Sequence, residues 1–485
     1  MRKINFCKSA ASICIIAGFM TVLGTSCKKF LQVQPRDYMF EDEAFSTVKG
    51  TQSALNGIYQ TLADSVLYGN MLTLNVTEQL AQYYAPAKGT IGNFSYYYFL
   101  DPSTASLLNT MWTQSYHQIL GINNFCTKLE DPSFNVVTGE DKNIMLGEAY
   151  AIRAFLHFDM LRVFGPVYLK NPQNISIPYY RQVERVAQPI LPAATVINEL
   201  IHDLDSSLVL LKNDPVRTKG PDWSNTTEGG ASINYFSNRQ RRMNYFAVKT
   251  LLARVLLYAG KKSDAWTAIQ SVIAEQEPFF PWSTEADYSK DPLLSKETFF
   301  GIENRNLYNN YRQLFSPMLS DDIIYAPKPG RLNGMYTSAS DLRLKYWFNV
   351  GSDGNKSYKV FIKFNNATIL DNTRMYYQPM IRKAELYLIA AETTPDLAKG
   401  YDYLNTLRIN KGLTPIAFQA NSSYGELLTK IEDEYQREFI GEGQTFFMIK
   451  RLNLSPIPSF TDGSPRYLSA NQFVLPTPQN ETYYR

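Results

Sequence analysis

The chain has 485 residues, of which 19% are charged, with a formal charge of +3. That length supports a substantial core without help from metals or crosslinks, and four cysteines in it exclude a disulfide-dense scaffold. Aromatic residues make up 14% of the chain, and tyrosine, at 33 copies against 28 Phe and 5 Trp, leads them. Tyrosine is the side chain that can be apolar along its body and wet at its tip, which suits a binding surface.

The first segment runs from basic Met1-Arg2-Lys3 and Lys8 through an apolar stretch, Ala10 to Leu23, to Gly24-Thr25-Ser26-Cys27. It is expected to be a secretory signal, residues 1–26, because a membrane span needs about 20 apolar residues and Ser12, Gly18 and Thr21 interrupt this one. A cysteine after small residues is the processing point of bacterial lipoproteins, so Cys27 is the expected lipid attachment site. Buried acyl chains contribute about 0.8 kcal/mol per methylene toward holding a protein on a bilayer. Without residues 1–26, which carry three basic and no acidic residues, the formal charge falls from +3 to zero. The chain then offers no electrostatic footprint for nucleic acid. Cys7 and Cys14 leave with the signal and Cys27 is acylated, so Cys126 has no partner for an intramolecular disulfide.

Residues 27–40 read as a lipidated leader. From Glu41 the spacing of Phe45, Val48, Leu55, Ile58 and Leu62 predicts a helix. A loop rich in Tyr, Gly and Asn is expected from about Asn75 to Asp101, then a helix carrying Trp112, Tyr116, Ile119 and Ile122 on one face. Ile144 to Phe164 predicts a long helix stopped by Gly165-Pro166. An amphipathic helix is expected over about 193–211, and Tyr245 to Tyr258, apolar nearly all round, predicts a buried one with Gly260 as its cap and Ser263 opening the next. Residues 276–375 lack helical period and hold an expected strand near Tyr358–Phe364; so long an irregular stretch in a compact protein is usually functional. Helices resume at Ile381–Glu392, after a Thr394-Pro395 start through Leu404 and Leu407, and over about Gly425–Ile440. Together these predict a mainly α fold of stacked tetratricopeptide-like hairpins with long irregular loops and a few short strands.

Chemical motifs are sparse. His117, His157 and His202 fall in helical text without a second ligand at metal spacing, so no metal and no cofactor is expected. Glycosidases need two carboxyls roughly 5–10 Å apart. Asp321-Asp322 and Glu432-Asp433-Glu434 qualify only by type, and the simpler expectation for them is solvated surface; no catalytic residue is assigned. Binding suits the composition better, because sugar rings present apolar C–H faces to aromatics and hydroxyls to amides and guanidinium groups. Two regions combine these types: Tyr83-Tyr84 with Asn93, Tyr96 and Tyr98, and Tyr308, Tyr311 and Arg312. Trp112 and Trp266 are expected in the core.

Several stretches, in order, carry a resemblance to a known family: Phe30-Leu31-Gln32-Val33-Gln34-Pro35; Ala54-Leu55-Asn56-Gly57-Ile58-Tyr59; and Arg153-Ala154-Phe155 running to Arg162-Val163-Phe164-Gly165-Pro166. Ile381 to Leu388 with Ala391-Glu392, then Glu434, Arg437-Glu438-Phe439, Gly441-Glu442-Gly443, Lys450-Arg451 and Pro476-Thr477-Pro478-Gln479 complete it. The chain thus resembles the RagB/SusD family. The resemblance implies a SusD-like domain over 41–485, with an irregular ligand-face insertion at about 276–375. It also implies a non-enzymatic lipoprotein on the surface of the outer membrane, which delivers captured oligosaccharide to a SusC-like TonB-dependent transporter. The alternatives are capture of a peptide, as in RagB-like lipoproteins, and, from another class, a surface glycoside hydrolase.

Overall fold

The computed structural model describes residues 44–84, 90–221, 235–351, 354, 356–366, 369, 374–479 and 481. The expected signal, Cys27 and the leader lie outside them. The chain divides into two units, Met1–Thr51 and Gln52–Arg485, and the architecture below is that of the second.

Helix α1 (Val48–Leu62) buries Leu55, Ile58 and Leu62. The expected loop after Asn75 begins instead as a π turn, Met71–Asn75, running into a short helix α2 (Val76–Leu80), with a 3-10 turn at Thr90–Tyr96. Its helical character was hidden because polar side chains fill the core here. Gln79 donates to Asn75 (2.8 Å) and to the Tyr325 hydroxyl (3.0 Å), so the segment is buried on its amide face too.

Helix α3 (Pro102–Glu130) starts where Asp101 accepts from the Ser103 and Thr104 N–H groups and Pro102 supplies a preset φ. It packs against α4 (Gly139–Phe164), which packs on α5 (Ala193–Leu210). Gly147 allows that second approach, since a Cβ there would lie 2.7 Å from Leu211 Cγ. Arg153 of α4 grips Asp203 of α5 with two hydrogen bonds of 2.7 and 2.8 Å. The hairpin α6 (Tyr245–Tyr258) and α7 (Lys262–Gln276) turns at Gly260, whose φ of +76° is left-handed. α7 begins at Lys262 without a side-chain cap, so Ser263 does not open it.

Strand β1 (Thr298–Glu303) leads into α8 (Leu307–Leu314) and pairs antiparallel with a later strand, Tyr377–Arg382. Phe348–Val350 and Lys359–Phe361 form a hairpin where a strand was expected, and short helices at Pro329–Met335 and Leu342–Trp347 give the rest of 276–375 more order than its composition suggested. The Tyr377–Arg382 strand feeds α9 (Lys383–Thr393), which packs on α6, α7 and α10 (Leu397–Asn410). The cap of α10 is Asp396, accepting from Ala398 and Lys399 N–H, and not Thr394, which closes α9. A carboxylate one step past the proline is the stronger N-cap. Helix α11 (Tyr424–Glu438) opens on a Ser423/Glu426 capping box. α12 (Thr445–Leu452), buried from Thr445 to Arg451, was not anticipated. The helices stack as tetratricopeptide-like hairpins.

α9 is buried throughout yet carries charge. Glu385 takes Arg254 (2.5 Å), Glu392 takes Arg451 (2.8 and 2.7 Å), and Lys383 donates to Glu277 (2.9 Å) and the Phe280 carbonyl (2.8 Å). Beside it Arg382 bonds Glu438 (2.5 Å) and Glu442 (2.8 Å), while Arg343 bonds Asp341, Glu434 and Glu438 at 2.8–2.9 Å. Burial alone would raise the Glu438 carboxyl, but Lys411, Arg382 and Arg343 outweigh it and hold it well below its ordinary 4.5. Glu434 and Glu392 are lowered in the same way by arginines. A lowered folded-state pKa gives stability that is complete above 4.5 and is lost as pH falls. The melting temperature is therefore expected to drop on titration from pH 6 toward pH 3, as calorimetry at each pH would record, while a flat profile would remove this network from the account.

Glu78 of α2 is fully buried, with its two oxygens accepting from the N–H groups of Gly441 (2.7 Å) and Gly443 (2.9 Å). Gly443 sits at φ +73°, and a Cβ there would lie 2.2 Å from the Leu72 carbonyl, so α2 and the Gly441–Gly443 turn clasp directly. Burial pushes the carboxyl up to about 8 against those two N–H groups. Glu78→Gln replaces one acceptor with a donor and strands a glycine N–H; a loss of about 1–3 kcal/mol is expected in urea unfolding.

Candidate functional site

In the segment Phe94 to Leu100 burial alternates. Phe94, Tyr97 and Phe99 point into the core, whereas Tyr96, Tyr98 and Leu100 are 40%, 63% and 86% exposed. Tyr97 adopts φ +61°, a left-handed conformation that costs a tyrosine energy. It is held there by its hydroxyl on the Leu80 carbonyl (2.8 Å), an edge contact with Phe99, and the Arg466 guanidinium 5.1 Å from its ring. On either side of that turn the rings of Tyr96 and Tyr98 stack, with centroids 5.9 Å apart and planes at 20°. Phe460 meets Tyr96 edge-on at 5.5 Å, bracing the pair from below. Asn93 is half-buried, and its carbonyl accepts from the Tyr98 N–H (3.0 Å).

Tyr83 and Tyr84 are not part of this ledge. Both are buried, Tyr83 donating to the Gln436 carbonyl (2.6 Å) beside Thr445, and Tyr84 to the Leu74 carbonyl (2.8 Å). Their hydroxyls found internal acceptors, which is what makes a tyrosine a core residue. In the second region Tyr308 and Tyr311 stack at 6.0 Å and 17°, but Tyr311 is buried under the half-buried Tyr308, and Arg312 is exposed. The helix is seated by Asn310, which donates to the Gly69 carbonyl (2.8 Å). A ligand thus has direct access to Tyr96, Tyr98, Tyr308 and Arg312 and none to Tyr83 or Tyr84. Three consecutive tyrosines, Tyr96 to Tyr98, carry no alternation of residue type that would show which of them face outward.

Sequence reading also missed a groove of about 820 Å³ formed by α1, residues 235–242 and the turn after the strand Thr298–Glu303. Its clue was the basic run Arg239 to Arg242.

His157 is a core residue: Nδ1 meets the Arg153 carbonyl (3.0 Å), Nε2 accepts from Tyr180 N–H (3.1 Å), and burial lowers its pKa to about 3. His117 and His202 are exposed. Trp112 is buried and Trp266 half-buried. Among the described residues no group of three or more His, Cys, Asp or Glu could hold a metal ion. Glu434, expected on the surface, is a buried member of the arginine network, bonded to Arg343 and Arg437. Asp321 is exposed and hydrogen-bonded by Tyr358 (2.7 Å).

The stacked helical hairpins present aromatic side chains on loops, and most of the buried acids are tied up in ion pairs. The profile of the SusD family matches residues 304–481, and a second, described as starch-binding associating with outer membrane, matches residues 29–218. The chain belongs to the SusD/RagB family. Among solved structures it resembles a SusD superfamily protein of Bacteroides thetaiotaomicron (20% identity, TM-score 0.68, 90% of this chain and 98% of that one). A SusD-like carbohydrate-binding protein of Bacteroides vulgatus (18%, 0.68, 90% and 96%) and a SusD superfamily protein of Bacteroides fragilis (20%, 0.64, 91% and 98%) share the fold. No functionally curated protein matches the chain.

Proposed function

We propose that this protein is a non-enzymatic, glycan-binding lipoprotein of the outer-membrane surface, anchored through Cys27, that captures an oligosaccharide and passes it to a SusC-like TonB-dependent transporter. The observation that carries the reading is the exposed Tyr96–Tyr98 stack held over a strained backbone turn. Strain of that kind persists where the surroundings impose it, and functional sites are where it collects. The rings offer a flat apolar face and hydroxyl tips to a pyranose, with Tyr308 and Arg312 as further contacts. Support for a carbohydrate comes from the starch-binding family profile and from the carbohydrate-binding neighbour from Bacteroides vulgatus. No helix among the described residues is long and apolar enough to cross a membrane.

The test is affinity electrophoresis of the detergent-solubilised full chain through a panel of polysaccharides, with calorimetry and product analysis on the same samples. Retardation by a glycan without new reducing ends is the expected result. Cleavage would replace this reading with a hydrolase, and heat only with peptides would replace it with peptide capture.

A further inference from the structure

We propose that the groove beside α1 is a second ligand site, built for an acidic oligosaccharide whose rings carry carboxylates. Its volume of about 820 Å³ is that of a small-ligand pocket. Ala63 and Ile302 are the only aliphatic residues among those that line it; amides, tyrosines and guanidinium groups make up most of the rest. A peptide would need apolar pockets for its side chains, whereas a hydroxyl-rich chain finds partners on every wall.

The charge is arranged to receive an anion. The guanidinium carbon of Arg242 is 4.8 and 4.6 Å from the ring centroids of Tyr59 and Tyr235, and the group donates to Asn56 Oδ1 at 2.5 Å and lies 4.0 Å from the buried Glu148 carboxylate. A guanidinium packed on two rings is held in place and keeps its charge, so little ordering cost remains on binding. Glu303, also in the lining, is bonded by Arg241 at 2.6 Å and is 3.6 Å from Arg305 at its closest. Arg305, with 81% of its side chain exposed, is therefore a loosely held cation of the lining. One held and one movable guanidinium lining the same groove suit a carboxylate that enters from solvent. The same turn continues into α8, so a ligand here lies next to the helix that carries Tyr308 and Arg312. The groove shares no lining residue with the Tyr96–Tyr98 ledge.

The experiment titrates the detergent-solubilised full chain calorimetrically with oligogalacturonate, a neutral maltooligosaccharide and polyglutamate. Oligogalacturonate is expected to bind at about 0.05 M salt and to weaken at about 0.5 M, as a guanidinium–carboxylate contact in a wet groove should. The pair Asn56→Ala and Arg305→Ala, both at exposed positions, should lower that affinity at least about tenfold with an unchanged melting temperature, while Tyr96→Ala with Tyr98→Ala leaves it intact. No heat with oligogalacturonate, equal affinity in the groove variant, loss only in the tyrosine variant, or equal binding of polyglutamate would each overturn the proposal. Failure of the maltooligosaccharide arm alone bears on the Tyr96–Tyr98 reading and not on the groove.

Discussion

Alanine at both Tyr96 and Tyr98 is expected to weaken binding of the captured glycan by about ten- to a hundredfold and to leave folding stability within about 0.5 kcal/mol of the parent. The two halves of that expectation come from one fact, that these rings are exposed and stack mainly on each other. Covering an aromatic face with a sugar is worth about 1–1.5 kcal/mol for each ring, which two substitutions remove together. Removing an exposed ring from the free protein costs almost nothing. Tyr83→Phe supplies the contrast. It deletes a buried hydroxyl that serves the Gln436 carbonyl and Thr445, so about 1 kcal/mol of stability should go while affinity stays. Isothermal calorimetry paired with urea unfolding reads both quantities, and equal affinity of the double variant and the parent would remove the ledge as the ligand surface.

Arg382→Met is expected to cost about 3–5 kcal/mol in urea unfolding. Its guanidinium reaches Glu442, a Glu438 carboxylate oxygen and the Glu438 carbonyl, and every one of these groups is shut away from water. Methionine fills much of the same volume and leaves Lys363 with Glu442 and Arg343 with Glu438, each carboxylate then short of one partner. Arg382→Lys should recover part of the loss at most, since an ammonium cannot span two carboxylates as the fork does. A loss under about 1 kcal/mol for the methionine variant would show that desolvation had been offsetting the pairing all along.

The run Glu434 to Glu442 and the pair Lys450-Arg451 could be recognised in the sequence as a pattern, but their purpose could not. Periodicity reports which face of a helix is apolar, and α9 and α12 are buried on every side, their charged residues bonded to groups far away in sequence, as Glu385 is to Arg254. Uniformly apolar text made Tyr245–Tyr258 legible to the residue, whereas the helix expected from Ile144 begins at Gly139. Caps depended on local chemistry: Gly260 was readable, and Asp396 lost to Thr394 only because a Thr-Pro step imitates a helix start. Within residues 75–101, composition could not separate Tyr83 and Tyr84, whose hydroxyls meet carbonyls, from the exposed Tyr96 and Tyr98. That separation is set by the left-handed turn at Tyr97 and by Arg466, both invisible without tertiary structure.

The most direct test of the central claim is a crystal structure of the protein soaked with the glycan that retards it most strongly in affinity electrophoresis. A pyranose ring lying flat on Tyr98 or Tyr96, its glycosidic bonds whole, is the predicted result. Density for the sugar only elsewhere, or a cleaved product, would contradict the account.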